Sequence, residues 1–238
     1  MARSTVGDAL AVVQQPSPEP TVVDWLARGW ETPRLPFRTA KRTLDIVLSL
    51  VGLVIVLPFL AMVSLAIVLE SPGSPLYIQR RVGRYGASFG LIKLRTMVPN
   101  ADERLRDCLD DQPALRAEWQ RTRKLRVDPR VTRAGRILRR WSLDELPQLL
   151  NVLFGQMSLV GPRPVPAQEG RLFGAAWPYV LSVRPGLTGL WAVSGRSDLS
   201  YEERVGLEAA YVTDCSLGLD TRIIARTIPW VLRGRGSY

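Results

Sequence analysis

The strongest pattern along the chain is an apolar run from Ile46 to Leu69, 24 consecutive residues without a charged side chain. At about 1.5 Å per residue this gives roughly 36 Å of helix, against a bilayer hydrocarbon core of about 30 Å. One spanning helix is the simplest reading. Pro58 stands in the middle of the run, however, where it removes a helical hydrogen bond and crowds the preceding turn. A helix broken there has halves of about 17 Å, each too short to cross. The flanks are also basic on both sides. Arg34, Arg38, Lys41 and Arg42 precede the run; Arg80, Arg81 and Arg84 follow it, with Lys93 and Arg95 beyond. Lys and Arg concentrate on cytoplasmic flanks, so both ends belong on one face of the membrane. A re-entrant helix-break-helix, with Pro58 at the break, satisfies both observations.

The pattern divides the chain into three parts: an N-terminal extension over residues 1–37, the membrane hairpin over 38–72, and a cytoplasmic catalytic domain over 73–238. The extension contains several prolines and the acids Asp8, Glu19, Asp24 and Glu31, so it reads as partly ordered and not as a secretory signal. Beyond Pro72-Gly73-Ser74-Pro75, Leu76–Arg81 and Ser88–Arg95 read as short strands around a turn at Gly83–Gly86. Ala101–Gln120 reads as helix, interrupted by Pro113. Ala134, Ile137, Leu138 and Trp141 fall at i, i+3, i+4 and i+7, with Arg133, Arg136, Arg139 and Arg140 around the rest of the circumference. That helix suits a membrane interface, and equally a core-packed helix with a solvated basic face. Leu143–Phe154 carries Leu146, Leu149, Leu150 and Leu153 on one side and Asp144, Gln148 and Asn151 on the other. Further helices are predicted at about 167–182, 199–213 and 219–232. The expected fold is mostly α with a small β element: a re-entrant membrane helix plus a cytoplasmic catalytic domain with interfacial amphipathic helices.

Composition narrows the chemistry. A formal net charge of +10 calls for an anionic partner: nucleic acid, acidic lipid or a phosphorylated substrate. Arg121 to Arg140 alone holds nine basic residues and one acid. Cys108 and Cys215 stand alone, in no metal-binding or disulfide spacing. Histidine is absent, so acid–base or nucleophilic work falls to carboxylates, Lys, Tyr, Ser or Cys.

Ser142-Leu143-Asp144-Glu145-Leu146-Pro147 opens a helix. Ser142 and Glu145 have capping-box spacing, but Pro147 favours a start one or more residues later, which puts Asp144 at the helix N-terminus. There an anionic carboxylate is stabilised by free N–H groups. Two adjacent carboxylates can hold a divalent metal while one oxygen attacks phosphorus; the same pair also reads as an ordinary helix start. A diphosphate needs cations, and Arg139, Arg163 and Arg184 are candidates, the last two in stiff Pro/Gly loops.

Six segments in order carry a resemblance. They are Lys41-Arg42-Thr43-Leu44-Asp45, Gln79-Arg80-Arg81-Val82-Gly83, Lys93-Leu94-Arg95-Thr96-Met97, Ser142 through Val152, Met157 through Pro164, and Arg184-Pro185-Gly186-Leu187-Thr188-Gly189. Together they resemble the monotopic phosphoglycosyl transferases, the bacterial sugar transferase family, from about residue 38 onward. The resemblance implies transfer of a hexose 1-phosphate from a UDP-sugar to undecaprenyl (polyprenyl) phosphate with release of UMP, starting exopolysaccharide or another glycoconjugate. It implies Asp144 as the nucleophile that carries a covalent phosphosugar, and Glu145 as its metal-binding or acid–base partner. Mg2+ is the implied cofactor, held by Asp144 and Glu145. Lys93, Arg139, Arg163 and Arg184 match basic positions, the three arginines near the substrate phosphates. It also implies the bacterial inner membrane with the catalytic domain facing the cytoplasm, membrane lipids as partners, no nucleic acid, and room for a homodimer. Leu57, Gln156 and Ala192 depart from the residues common in the family. Two rivals remain at this point: a basic membrane-tethered binding protein without catalysis, and a metal-dependent hydrolase of nucleotide sugars.

Overall fold

The computed structural model describes residues 35–122, 125, 127–195 and 199–232. The extension expected over 1–37 lies outside them except for its last three residues, which begin the first helix. That helix, α1 (Leu35–Glu70), is 36 residues long and contains Pro58. The expected break therefore takes the form of a proline inside a helix with no interruption. Its missing N–H removes one bond, and the apolar turns on either side continue the helix.

α1 lies against the rest of the chain along one stripe. Lys41, Asp45, Ser49, Gly52, Leu60, Val63, Ile67 and Glu70 recur at helical spacing on it. Asp45, Ser49 and Ile67 are buried, and a Cβ on Gly52 would stand 3.3 Å from Leu149 Cδ1. The opposite side is bare aliphatic surface: Val54, Ile55, Leu57, Met62, Leu65 and Leu69 are each at least 60% exposed. An apolar face of this length is unfavourable in water and is matched by lipid.

Two strands follow, β1 (Leu76–Val82) and β2 (Ser88–Leu94), paired antiparallel from Leu76↔Leu94 to Val82↔Ser88 around the expected turn. Tyr85 and Gly86 close the hairpin with φ of 59° and 82°. Phe89 and Leu91 of β2 pack on Val152 and Met157. Pro113 divides the next helical stretch into α2 (Ala101–Asp111) and α3 (Pro113–Thr122).

The basic helix α4 (Arg133–Arg140) is capped by Thr132, whose hydroxyl accepts from Gly135 N at 2.9 Å. The last residue of α1 caps it too: Glu70 accepts from Arg133 N at 2.7 Å and Ala134 N at 2.9 Å. Gly135 is required here, because a Cβ would fall 2.1 Å from Thr96 O. The apolar stripe read from the sequence is only partly the packed face. Leu138 is buried, but Ile137 is 61% exposed and Arg139 turns inward. The close approach through Gly135 rotates the helix, leaving Ile137 among Arg133, Arg136 and Arg140.

A 3-10 turn (Leu143–Glu145) and α5 (Gln148–Leu153) replace the single helix expected over Leu143–Phe154. A parallel pair not read in the sequence, β3 (Ser158–Val160) and β4 (Gly186–Thr188), follows. The helix expected at 167–182 is a 3-10 stretch (Ala167–Ala176), kinked at Gly174, and the short α6 (Trp177–Val180). After α7 (Leu190–Ser194), α8 (Tyr201–Asp214) begins with a capping box of Ser200 and Glu203. α9 (Leu217–Leu232) ends the described chain. Val160, Val193, Tyr211, Val212 and Ile223 pack β3 between these helices.

Candidate active site

Ser142 adopts a left-handed conformation, φ 55° and ψ 25°, and its side chain makes no cap. The capping box is therefore not formed: an N-cap needs extended backbone, and Pro147 delays α5 until Gln148. Asp144 and Glu145 stand instead on the tight turn just before α5. α5 is fixed to β2 by Asn151, which is fully buried. Its Oδ1 accepts from Ile92 N at 3.0 Å, and its Nδ2 donates to Gly90 O and Gln156 Oε1, both at 2.7 Å. The polar side of this helix thus faces inward onto the strand.

That lock brings Lys93 to the dyad. Lys93 Nζ donates to Glu145 Oε1 at 2.7 Å and lies 4.0 Å from Asp144 Oδ2. Arg139 approaches from the last turn of α4, its Nε donating to Thr96 Oγ1 at 2.9 Å. Burial raises the Asp144 carboxyl above its ordinary range, and the adjacent Glu145 raises it further. Lys93 and Arg139 pull it back down. Asp144 is therefore a desolvated carboxyl whose ionised form two cations favour, and once ionised it is poorly solvated, which suits an oxygen nucleophile.

Arg163 and Arg184 have other neighbours. The Arg163 main-chain N–H donates to Glu208 Oε1 at 2.9 Å, and its guanidinium lies 4.6 Å from the centroid of the Trp191 ring. Arg184 Nε donates to Gly155 O at 2.7 Å, next to Arg42, which bonds Val152 O and Leu153 O. These two arginines cap the carbonyl end of α5. Arg38, Arg42, Arg84 and Arg184 line one cavity at the start of α1.

Among the described residues no three Asp, Glu, His or Cys side chains converge on one point. The dyad alone supplies two carboxylates, both hard oxygen donors. That set fits Mg2+, which keeps most of its waters and binds through one or two carboxylates plus substrate phosphates.

Sequence reasoning did not single out Glu208 or Trp191 as site residues. Glu208 is wholly buried, and burial pushes its carboxyl up to about 7 against the pull of the Arg163 N–H and the Arg204 and Arg163 charges. A carboxyl raised on folding favours the native state below its unfolded pKa, and that contribution is lost as pH rises through the folded value. Melting temperature should accordingly fall between pH 5 and 8. Glu208→Gln keeps an oxygen for the Arg163 N–H, so it should match the wild type near pH 5 and melt higher at pH 8. Parallel curves for the two proteins would remove Glu208 as the source.

Comparison with known proteins places the site in context. Residues 37–234 match the family described as bacterial sugar transferase. The chain is 45% identical over 199 residues to the exopolysaccharide production protein ExoY of Sinorhizobium fredii, covering 84% of this chain and 88% of that protein. It is 40% identical over 221 residues to the UDP-glucose:undecaprenyl-phosphate glucose-1-phosphate transferase of Caulobacter vibrioides, covering 90% and 77%. Against the longer undecaprenyl-phosphate galactose phosphotransferase of Salmonella typhimurium, identity is 46% over 202 residues, 84% of this chain and 42% of that one. With its carboxylate dyad, its basic partners and its long apolar helix inside the matched segment, this chain belongs to the bacterial sugar transferase family and is a phosphoglycosyl transferase.

Proposed function

We propose that the chain transfers a hexose 1-phosphate from a UDP-sugar to undecaprenyl phosphate, releasing UMP, as a first step of exopolysaccharide synthesis at the cytoplasmic face of the inner membrane. The observation that carries this reading is Asp144, buried beside Glu145 and held between Lys93 and Arg139. A carboxylate so placed is suited to attack phosphorus directly. A carboxylate oxygen of Asp144 forms a bond to the sugar-bearing phosphorus, while the bond from that phosphorus to the bridging oxygen breaks. UMP leaves with the electron pair, and the phosphosugar remains on Asp144. An oxygen of the polyprenyl phosphate then attacks the same phosphorus, frees the Asp144 carboxylate and yields a polyprenyl diphosphate sugar. Lys93 and Arg139 neutralise the phosphoryl oxygens during both displacements. Asp144 and Glu145 would hold Mg2+, whose contribution when bound is to neutralise the diphosphate.

The way α1 is tied supports a re-entrant membrane arrangement. Lys41, Arg42 and Asp45 at its start, and Glu70 and Ser71 at its end, bond to the same catalytic body. Ends anchored on one body favour a helix that dips into one leaflet and returns, with its exposed aliphatic face in lipid and Pro58 at the bend. The basic face of α4, with Ile137 exposed, would rest in the interface beside it.

The relatives' names as transferases leave a non-catalytic binding role without support. Hydrolysis of nucleotide sugars is separated by experiment: purified protein, Mg2+ and a panel of UDP-sugars, with UMP followed in the presence and absence of polyprenyl phosphate. Multiple turnovers are expected only with the lipid. Sustained UMP and free sugar phosphate without it would establish a hydrolase and defeat the transfer reading.

A further inference from the structure

A second basic cluster lies outside the dyad. It is built by Arg163 of the loop after β3 and Arg204 of α8 on either side of Trp191 of α7, with Arg81 of β1 close enough to both arginines to feel their charge. The Arg163 and Arg204 guanidinium groups lie 4.6 Å and 5.7 Å from the centroid of the same indole ring. Burial, and then repulsion from Arg163, lowers the proton affinity of both Arg81 and Arg204. Two carboxylates, Glu208 and Glu169, offset part of this charge without hydrogen-bonding the guanidinium groups. Glu208 Oε1 is taken by the Arg163 main chain and stands 3.9 Å from Arg204 Nε, beyond hydrogen-bond range. Glu169 accepts from Tyr201.

The cluster is left with unmet polar groups. Arg81 Nε, Arg204 Nε and Nη2, Trp191 Nε1 and Glu208 Oε2 are all shielded from solvent and have no hydrogen-bond partner. Glu208 itself is 0% exposed. Native proteins seldom leave several buried donors unpaired within one cluster, and three like charges this close repel. One oxyanion with several lone pairs would answer both problems, since the planar guanidinium fork matches phosphate oxygens.

We propose that Arg81, Arg163 and Arg204, with the Trp191 indole N–H, bind a phosphate group, and that this group belongs to the nucleotide donor and remains on UMP after transfer. The choice of the donor rests on the transfer reading above. No residue of the cluster comes from α1, whose lipid-facing side the acceptor's tail would share. The other arginine group, at Arg38, Arg42, Arg84 and Arg184, does open onto α1. The cluster without α1 is accordingly assigned to the soluble ligand. Arg81, Arg204 and Trp191 thereby join Arg163 as binding residues, and Glu208 positions Arg163 through its main chain.

The test uses the full chain in lipid nanodiscs, with calorimetric titration of UMP, inorganic phosphate and a short-chain polyprenyl phosphate. Arg81→Gln and Arg204→Gln should each weaken UMP and inorganic phosphate on the order of tenfold or more. Affinity for the polyprenyl phosphate should be unchanged, and the KM for the UDP-sugar should rise. Arg81→Lys and Arg204→Lys keep the charge and guard against misfolding; they should show intermediate losses, because the fork is gone. UMP and phosphate affinities within twofold of wild type in both Gln variants would overturn the site. Loss of polyprenyl phosphate binding with UMP unaffected would overturn it equally, by giving the cluster to the acceptor. Should the wild type release UMP from no UDP-sugar, the donor reading fails by itself, and the inorganic phosphate arm still decides whether the three arginines hold an oxyanion.

Discussion

Asp144→Asn is expected to lower sugar-phosphate transfer by a factor on the order of 10^4 to 10^6, the range seen when a nucleophile is removed from an otherwise intact site. The amide keeps the shape of the side chain but offers no anionic oxygen to phosphorus. Glu145→Gln should cost on the order of 10^2 to 10^3, since it removes one charge from the pair and the partner of Lys93. Folding should respond in the opposite sense. Burial and Glu145 raise the Asp144 carboxyl, so the ionised form is less favourable in the folded chain than in the unfolded one at neutral pH. Asp144→Asn should then melt at or above the wild-type temperature at pH 7, and its advantage should shrink toward pH 4. Asp102→Asn, an exposed carboxylate on α2, is the control and should stay within about 0.5 kcal/mol of wild type in stability. Wild-type protein given donor and Mg2+ without lipid should release one equivalent of UMP in a burst and gain the mass of one phosphosugar at Asp144. Release that always waits for the lipid would point to direct transfer in a ternary complex and end the covalent scheme.

Much of this fold was legible because local chemistry decided it. The hairpin of β1 and β2 follows from two short strand-like segments joined by the Gly83–Gly86 turn. Pro113 separates α2 from α3 where the proline demands it. Readings failed where a distant contact overrode a local pattern. Ile137 faces outward because Gly135 must meet Thr96 O, a constraint that the spacing of apolar residues on α4 does not carry. The pair of β3 and β4 joins residues nearly 30 apart through three-residue strands, too short for any periodic signal. Pro58 read as a break, yet one lost hydrogen bond in a long apolar helix does not end it.

The site divides in the same way. Asp144 and Glu145 were visible as adjacent acids at a helix start, and Pro147 correctly argued for a later start. Lys93 was identified only by resemblance, because its partner Glu145 lies 52 residues away. Arg163 was visible as an arginine in a Pro-rich loop, but its hold by Glu208, 45 residues on, was not. Glu208 could have been suspected from its own helix: with Ala209, Tyr211 and Val212 it falls on the buried side of α8, and an acid there needs a partner.

The ties that hold α1 should matter nearly as much as the nucleophile. Lys41 Nζ donates to Asp220 Oδ2 at 2.6 Å and to Val160 O at 2.9 Å, and Tyr211 donates to Asp220 Oδ1 at 2.8 Å. Asp220 is 1% exposed, and Lys41 is the cation that offsets its burial. One turn further, Asp45 accepts from Ser158 Oγ at 3.0 Å and Leu159 N at 2.9 Å. At the far end Glu70 caps α4, and Arg95 donates to the carbonyls of Ser71 and Pro72. Lys41→Met leaves Asp220 buried without its counter-ion, so it should destabilise the protein by about 3–5 kcal/mol, a fall in Tm on the order of 10 °C. Lys41→Met combined with Asp220→Leu removes both charges and should recover most of that loss. A single-variant loss under 1 kcal/mol would show that the pair does not anchor the helix. With both ends bound to one body, single cysteines at Ala40 and Ser74, in a background lacking Cys108 and Cys215, should be equally shielded from an impermeant thiol reagent in intact cells. Labelling at one position alone would mean that α1 crosses the bilayer, and that its two sets of ties cannot form together in the membrane.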